Sequence, residues 1–424
     1  KGGFLLLRIL FYFSYSYPQP NAEHPFSVTA EVGPCPWNDS RKLVAIALKA
    51  KNIDKKDLPP SNLVFLIDVS GSMSAENKLP LLQKSMKMLV RQLNREDRVS
   101  IVVYAGHDRV VLEPTAGSER RKIIAAIEAL DSGGSTHASS GIVTAYNLAE
   151  QVLIPGGNNR IILASDGDFN VGVTTRGELQ KMIEEKRKSG VYLTVLGFGM
   201  GNYHDDTMEI LADKGNGNYA YIDSLLEAKK VMVKEMSGTM FTLAGDVKIQ
   251  VEFNPAQVGA YRLIGYENRA LADEDFNNDN TDAGEIGVGH TVTALYELIP
   301  VGAESLPSVD PLKYQKVQSS LDNAYTNELM TVKLRYKPKQ SKKSILLSTV
   351  VQDNNVALKN TSDNFRFAAS VAGFGMLLKN SEHGVGFSWQ RILELAKSAK
   401  GKDAEGYRAE FIRLVELSEL LDQH

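Results

Sequence analysis

The strongest structural signal in this 424-residue chain is the sequence Leu63-Val-Phe-Leu-Ile-Asp68-Val-Ser-Gly-Ser72. Its first five residues form a continuous apolar run, as expected for a β-strand that is buried on both faces of a parallel sheet. In such sheets, ligands bind at the carboxyl ends of the strands. The strand delivers Asp68, Ser70 and Ser72 to that end, and Gly71 lets the loop turn tightly. Small oxygen-bearing side chains at alternate positions can converge on one divalent cation.

Strand-like and helical runs alternate around this stretch, over residues 61–238. The further predicted strands are Val99–Tyr104, Arg160–Asp166, Val191–Phe198 and Tyr219–Ile222. The predicted helices are Leu79–Leu93, Ser118–Leu130, Ser140–Leu153, Arg176–Lys188, Asp205–Lys214 and Leu225–Met236. Strands that alternate with helices of this length indicate an α/β domain. It would have a doubly wound, mostly parallel sheet with helices on both faces.

The flanking residues have a different pattern. Residues 1–60 hold two strand-like runs, and residues 239–360 hold five more with few helical signals, which predicts an antiparallel β-sandwich. Two strands are too few to fold alone, so residues 1–60 are predicted to contribute theirs to this sandwich. Residues 361–424 return to helical spacing and are predicted to form a helical C-terminal region. The runs are Phe26–Val32, Lys42–Ala50, Val247–Phe253, Tyr261–Tyr266, His290–Leu298, Leu329–Tyr336 and Ser344–Val351, then Phe365–Leu378, Trp389–Ala399 and Ala404–Leu421.

Composition narrows the classes of function. A net charge of −3 gives no general attraction to nucleic acid or anionic membrane, so no nucleic-acid partner is expected. The single cysteine, Cys35, allows neither an intramolecular disulfide nor a cysteine-rich zinc site. The apolar run Phe4–Phe13 is shorter than the roughly 20 residues that a transmembrane helix needs, so none is expected in this chain. Because the chain starts at Lys1 rather than Met, it looks trimmed at its start, and any targeting segment is expected to lie out of view.

Two more loops have the chemistry of the loop after Asp68. Gly133-Gly-Ser-Thr136 is a glycine-rich loop just before a predicted helix, and the apolar run Ile161–Ala164 delivers Ser165-Asp166-Gly-Asp168 to its own carboxyl end. A doubly wound sheet brings such ends together. Asp and Ser also cap helices and loops without any metal, so a purely structural role for these residues is the alternative interpretation. Asp168 is expected to support the turn rather than to bind a cation.

The order of these motifs resembles the metal-ion-dependent adhesion site of von Willebrand factor type A domains. The resemblance implies five metal-site residues, which are Asp68, Ser70, Ser72, Thr136 and Asp166. It implies that the hydroxyl groups contact the cation directly and that the aspartates act mainly through bound water. This arrangement suits Mg²⁺, with Mn²⁺ or Ca²⁺ as alternatives. The open coordination position would accept a carboxylate from a protein partner.

Several segments also resemble the bacterial YfbK-type family, in which a type A domain lies between two family-specific segments. These are Tyr17–Pro20, Pro34–Trp37, Leu58–Met73, Asp166–Val173 and Asp282–His290, and the likeness covers nearly the whole chain. The resemblance implies a protein of the bacterial cell envelope, in the periplasm or on the outer surface, with a lipid anchor upstream. His137-Ala-Ser-Ser140 departs from the small residues and glycines expected there, so the rim of the site is expected to differ.

Three functions remain open. A binding module would hold Mg²⁺ and capture an acidic side chain of a protein partner. A metal-assisted hydrolase would need a base within hydrogen-bond reach, and only His137 offers one nearby. The chain has no His-Glu-x-x-His motif, no phosphate-binding Gly-x-x-x-x-Gly-Lys loop and no Gly-x-Ser-x-Gly elbow, so no enzyme activity is expected. The third function is a structural envelope protein with a vestigial metal site.

Residues 273–281 resemble the start of a calcium-binding loop, because oxygen-bearing side chains stand at alternate positions. The positions are Asp273, Asp275, Asn277, Asp279 and Thr281. The fit fails later, since Asn278 replaces the glycine of position six and Gly284 replaces the glutamate of position twelve. A solvated acidic loop is therefore the favoured interpretation.

Overall fold

A computed structural model describes residues 10, 12–13, 15–21, 23–133, 139–167, 176–199, 205–235, 241–265, 272–279, 281, 283–303, 327–338, 341, 343–384 and 386–422. In this part of the chain, the strands are β1 (Phe26–Pro34), β2 (Lys42–Ala50), β3 (Ser61–Asp68), β4 (Arg98–Ala105), β5 (His107–Ala116), β6 (Asn158–Ser165), β7 (Val191–Phe198), β8 (Tyr219–Ile222), β9 (Thr242–Phe253), β10 (Val258–Ile264), β11 (Gly284–Gly287), β12 (Thr291–Pro300), β13 (Glu328–Pro338) and β14 (Ile345–Gln352). The helices are α1 (Leu79–Val90), α2 (Arg120–Glu128), α3 (Ser139–Gln151), α4 (Arg176–Lys186), α5 (Asp205–Lys214), α6 (Leu225–Lys229), α7 (Asp363–Leu378), α8 (Trp389–Ser398) and α9 (Tyr407–Asp422).

These elements form two compact units, one of residues 53–241 and the other of residues 1–52 together with 242–424. The unit of residues 53–241 has a six-stranded sheet in the order β5-β4-β3-β6-β7-β8. Neighbouring strands are parallel except β5, which pairs antiparallel with β4 at the edge. The predicted α/β fold with a mostly parallel sheet is confirmed.

The central strand β3 shows why this sequence forms such a sheet. Leu63, Phe65 and Ile67 point into a core that α1 and α2 complete on one face. Val64 and Leu66 point into a second core, which α3, α4 and α5 complete on the other face. Fully burying a large apolar side chain stabilises the fold by about 1.5–3 kcal/mol, so a strand with two apolar faces is stable only between two helical layers.

The second unit contains two antiparallel four-stranded sheets, β1-β2-β12-β10 and β11-β9-β13-β14. Their facing sides share apolar cores, in which Val44 and Ile46 of β2 contact the same cluster as Met330 and Val332 of β13. Strand β2 pairs with both β1 and β12. The strands near the start of the chain therefore complete a sheet whose other members follow residue 241.

Helices α7, α8 and α9 cover the outer face of the sheet that contains β2. Leu43 and Ala45 of β2 lie in one core with Phe367 and Phe374 of α7 and with Phe411 of α9. The helical C-terminal region therefore shares its core with this sheet. The predicted segments 1–60, 239–360 and 361–424 thus contribute to one compact unit, with limits at residues 52/53 and 241/242.

Candidate metal centre

The candidate site is built where two neighbouring parallel strands end. Strand β3 ends at Asp68 and β6 ends at Ser165, and the register pairs Ile67 with Ala164. Asp68 and the Ser165-Asp166 pair therefore leave the sheet side by side at its carboxyl edge. Asp68 is fully buried and Asp166 is only 7% exposed.

The loop after β3 is folded by short-range hydrogen bonds. The backbone N–H of Ser70 donates to Asp68 Oδ1 at 2.9 Å, the kind of bond by which aspartate stabilises a turn. A short 3-10 turn follows at Gly71–Ser74, where Met73 is fully buried and its N–H donates to the Ser70 carbonyl at 3.0 Å. The buried methionine anchors the turn, and Ser72 is left at the surface.

The two serine hydroxyls are spaced as two ligands of one small cation would be. Ser70 Oγ and Ser72 Oγ are hydrogen-bonded to each other at 3.0 Å. Neighbouring oxygen ligands of Mg²⁺ are about 3.0 Å apart, because metal–oxygen bonds of about 2.1 Å meet at right angles in its octahedral geometry. The hydroxyls therefore fit the ion that the motif implies.

The aspartates add negative charge beneath these hydroxyls. Asp68 Oδ2 accepts a hydrogen bond from Ser165 Oγ at 3.1 Å, and Ser165 Oγ accepts one from the Gly167 N–H at 3.2 Å. Burial raises the pKa of Asp68, and the charge of Asp166 raises it further, while hydrogen bonds from Ser70 and Ser165 act in the opposite direction. A divalent cation at this position would relieve the repulsion between the carboxylates.

Tyr104 forms the buried side of the site, next to Asp68. It lies beside Asp68 in the register of β3 and β4 and is fully buried. Burial and the nearby Asp68 carboxylate raise the pKa of the Tyr104 phenol well above its usual value. Its carbonyl accepts from the Val69 N–H at 3.2 Å, and the Val69 carbonyl accepts from the Gly133 N–H at 2.7 Å. These bonds fix the start of the glycine-rich loop next to the site.

One member of the site was missed by reasoning from sequence. Lys78 Nζ donates to Asp166 Oδ2 at 2.8 Å and to the carbonyl of Ser72 at 3.0 Å. Lys78 is the residue immediately before α1, where serine or aspartate is usual and where the helix dipole disfavours a cation. This misplaced positive charge was the signal that could have identified it.

Three residues of the sequence hypothesis lie outside the described part of the chain. They are Thr136, His137 and Asp168. The structure therefore brings together Asp68, Ser70, Ser72 and Asp166 from the five residues that the motif implies. In the part of the chain that the structure describes, no cluster of three or more His, Cys, Asp or Glu residues is arranged to hold a metal ion. No described helix is both long and apolar enough to cross a membrane.

The acidic loop that resembles a calcium site is anchored by ammonium groups of the protein itself. Lys248, which is only 2% exposed, donates from Nζ to the carbonyls of Asp275 at 2.9 Å and Asn278 at 2.5 Å. Lys337 Nζ donates to the carbonyl of Asp279 at 2.6 Å. The carbonyls therefore have cationic partners within the fold. The loop is attached to the sheet rather than merely solvated.

Models of three protein families match the chain. The model of the von Willebrand factor type A domain matches residues 62–234, which include the whole site around Asp68. A model described as the C-terminal part of uncharacterized protein YfbK matches residues 238–421. A third, described as von Willebrand factor, matches residues 8–45.

Two relatives illustrate the extent of the similarity. The chain is 46% identical to uncharacterized protein YfbK of Escherichia coli (strain K12) over 395 residues, which cover 93% of this chain and 68% of that protein. It is 27% identical to inter-alpha-trypsin inhibitor heavy chain H2 of Homo sapiens over 172 residues, which cover 39% of this chain and 18% of that protein. Of these two similarities, the first covers most of the chain and the second covers less than half of it.

A solved structure of similar extent is that of a von Willebrand factor type A protein from Catenulispora acidiphila. It shares 15% sequence identity with a TM-score of 0.46, and the match covers 92% of this chain and 91% of that one. Both the identity and the score are low, so this similarity says nothing about function.

Proposed function

Because the chain belongs to the YfbK family and carries a von Willebrand factor type A domain, we propose that it is a metal-ion-dependent protein-binding module. Domains of this type commonly mediate protein–protein interaction. In our proposal, Mg²⁺ is held at the carboxyl edge of the parallel sheet and captures a carboxylate of a protein partner. The observation that carries the proposal is the pair of hydroxyls 3.0 Å apart above two buried carboxylates.

The roles of the residues follow from their chemistry. Ser70 and Ser72 would contact the cation directly, with Thr136 as the third hydroxyl, and Asp68 and Asp166 would act mainly through water. Neutral hydroxyl ligands leave much of the charge of the cation uncompensated, so it keeps its attraction for a further carboxylate. Mg²⁺ retains exchangeable water ligands, and one of these positions is where the partner would bind.

Binding is favoured over hydrolysis by the same residues. A hydrolase needs a general base within hydrogen-bond reach of a metal-bound water. Asp68 accepts hydrogen bonds with both of its carboxylate oxygens and is fully buried. These surroundings suit a carboxylate that holds a cation better than one that transfers a proton. We therefore propose a non-enzymatic module. By the family resemblance, we also propose that it acts at the bacterial cell envelope, where membrane fractionation of native cells tests its location.

Calorimetry with Mg²⁺ tests the proposed site. The wild-type protein is expected to bind Mg²⁺, and both Asp68→Ala and Ser72→Ala are expected to lose at least about tenfold in affinity, or 1.4 kcal/mol. Ser72 is exposed, so its loss should leave the fold unchanged. Ser74→Ala is the matched control, because Ser74 is exposed in the same turn but is not one of the proposed ligands.

The partner is tested in the presence and absence of the cation. A pull-down from native envelope extract in Mg²⁺, repeated in EDTA, is expected to retain a protein partner in Mg²⁺ alone. Equal Mg²⁺ binding by the wild type and Asp68→Ala, or equal capture with and without EDTA, would contradict the proposed function.

A further inference from the structure

The ammonium group of Lys78 lies inside the proposed cation site. It bridges two groups of that site, Asp166 Oδ2 at 2.8 Å and the carbonyl of Ser72 at 3.0 Å. Only 19% of the Lys78 side chain and 4% of the Asp166 side chain is exposed, so water screens this ion pair weakly. The ammonium group therefore already engages Asp166, one of the carboxylates through which the proposed cation would be held.

The backbone at Gly199 leaves room for the Lys78 side chain to reach the site. The stem runs across the α-carbon of Gly199, where a Cβ would collide with Cγ, Cδ and Cε of the lysine. Gly199 has φ +91°, a conformation that other residues rarely adopt, and its carbonyl accepts a hydrogen bond from the hydroxyl of Tyr221. A glycine at the end of β7 therefore makes the groove along which Lys78 reaches the site.

Two positive charges compete for the same carboxylate in this arrangement. While the ammonium group neutralises Asp166, Asp68 is, among the residues that the structure describes, the site carboxylate whose charge remains for a divalent cation. A cation that binds must either coexist with the ammonium group, at the cost of repulsion, or break its contact with Asp166. Either event lowers the affinity for the cation.

We propose that Lys78 is an internal competitor that sets the cation affinity of the site. This inference rests on the proposed function, because it takes the cation site as given. Lys78 would then determine the affinity for the cation, although it is not one of the predicted ligands. Lys78 keeps cation binding weak, so that the carboxylate of a partner contributes substantially to holding the cation.

Removing the charge of Lys78 should strengthen cation binding. Lys78→Met keeps an unbranched apolar stem of similar path, and we expect its dissociation constant for Mg²⁺ to fall by at least about tenfold in calorimetry. The rise in melting temperature caused by Mg²⁺ should increase in parallel, because a ligand that binds the folded state stabilises it according to its affinity. Lys78→Arg keeps the charge and is expected to bind no more tightly than the wild type.

Lys84→Met is the matched control, since Lys84 lies on α1 with 53% of its side chain exposed. Its affinity should stay within about twofold of the wild type. If Lys78→Met does not fold, as judged by circular dichroism, Lys78→Gln removes the same charge with the same expected gain. An equal or weaker affinity in the charge-free variant, beside a wild type that binds Mg²⁺ through Asp68, would overturn this inference and leave the proposed function standing. Absence of Mg²⁺ binding in both the wild type and the charge-free variant would overturn both.

Discussion

Two buried carboxylates in this protein have opposite electrostatic surroundings. Burial acts to raise the pKa of Glu297, but hydrogen bonds and charges from Arg41 and Arg262 outweigh it, so the pKa lies below the usual value. The pKa of Asp68 is raised, because burial and the charge of Asp166 outweigh the hydrogen bonds that it accepts. Glu297 thus has its cations within the fold. Under our proposal, the cation that offsets the charge of Asp68 comes from solution as Mg²⁺.

His290 makes the stability of the second unit depend on pH. Burial, together with the charge of Lys49, lowers the pKa of His290 from 6.5 to about 4. The folded state therefore holds the neutral imidazole, whereas the unfolded chain takes up a proton below pH 6.5. The stability gained by keeping His290 neutral in the folded state is complete above pH 6.5 and is lost as the pH falls toward 4. Between pH 7 and pH 5 we expect a loss of about 2 kcal/mol.

Urea unfolding of the wild type and His290→Gln at pH 7 and pH 5 checks this expectation. The variant should lose less stability between the two pH values than the wild type does. His383→Gln, which removes an exposed histidine of the same unit, should behave as the wild type. The same pH dependence in His290→Gln as in the wild type would show that another group is responsible.

Four residues of the candidate site were named from the sequence, and Lys78, which contacts Asp166, was not. Asp68, Ser70, Ser72 and Asp166 follow apolar strands, so their position at the edge of the sheet was available from the pattern and the family resemblance. The contact between Lys78 and Asp166 joins residues 88 positions apart. The position of Lys78 before a predicted helix marks it as unusual, but its pairing with Asp166 depends on where α1 begins relative to β6, which no local pattern encodes.

Helix α7 is packed so closely against its neighbours that one of its positions has no room for a side chain. A Cβ on Gly373 would collide with the ring of Phe387, which in turn packs edge-on against Trp37 with ring centroids 5.5 Å apart. Gly373→Ala is therefore expected to destabilise the fold by about 1–3 kcal/mol through overpacking, despite the better helix propensity of alanine.

Gly177 in α4 provides the contrast for this experiment. A Cβ there meets no described atom within 4 Å, so Gly177→Ala is expected to stabilise the protein, by less than the ~0.5–1 kcal/mol of a position in the middle of a helix. Chemical denaturation of both variants measures whether each substitution lowers or raises the free energy of unfolding. A stabilising Gly373→Ala would mean that Phe387 moves aside at little cost.

The elements missed by sequence reasoning are edge strands. The central strands and the amphipathic helices were predicted within a few residues, because burial imposes a strict apolar pattern on them. Strand β5 carries Pro114 and buries few of its side chains, and its pairing with β4 is shifted in register. Strand β11 is four residues long and irregularly paired. Edge strands need only one neighbour, so their sequences are weakly constrained.

The two units of the protein differ in how far apart in sequence their paired strands lie. The unit of residues 53–241 draws its sheet and cores from one continuous segment. As a separate fragment, residues 53–241 should unfold cooperatively on heating, since they contain their complete cores. Residues 242–424 alone should show no cooperative transition, because β12 would lack β2. Differential scanning calorimetry of both fragments measures this, and the reverse result would contradict the division.

Because β2 pairs with β12, the sheet that contains β2 can be completed only late in the synthesis of the chain. Lys49 pairs with Thr291, so β2 leaves the ribosome ~240 residues before its partner. At about 5–20 residues per second, this delay is on the order of 10 to 50 s. During that interval β2 exposes two apolar faces, while the parallel-sheet unit is already free to fold. The nascent chain is therefore most in need of a chaperone at its first strands, long after they have been translated.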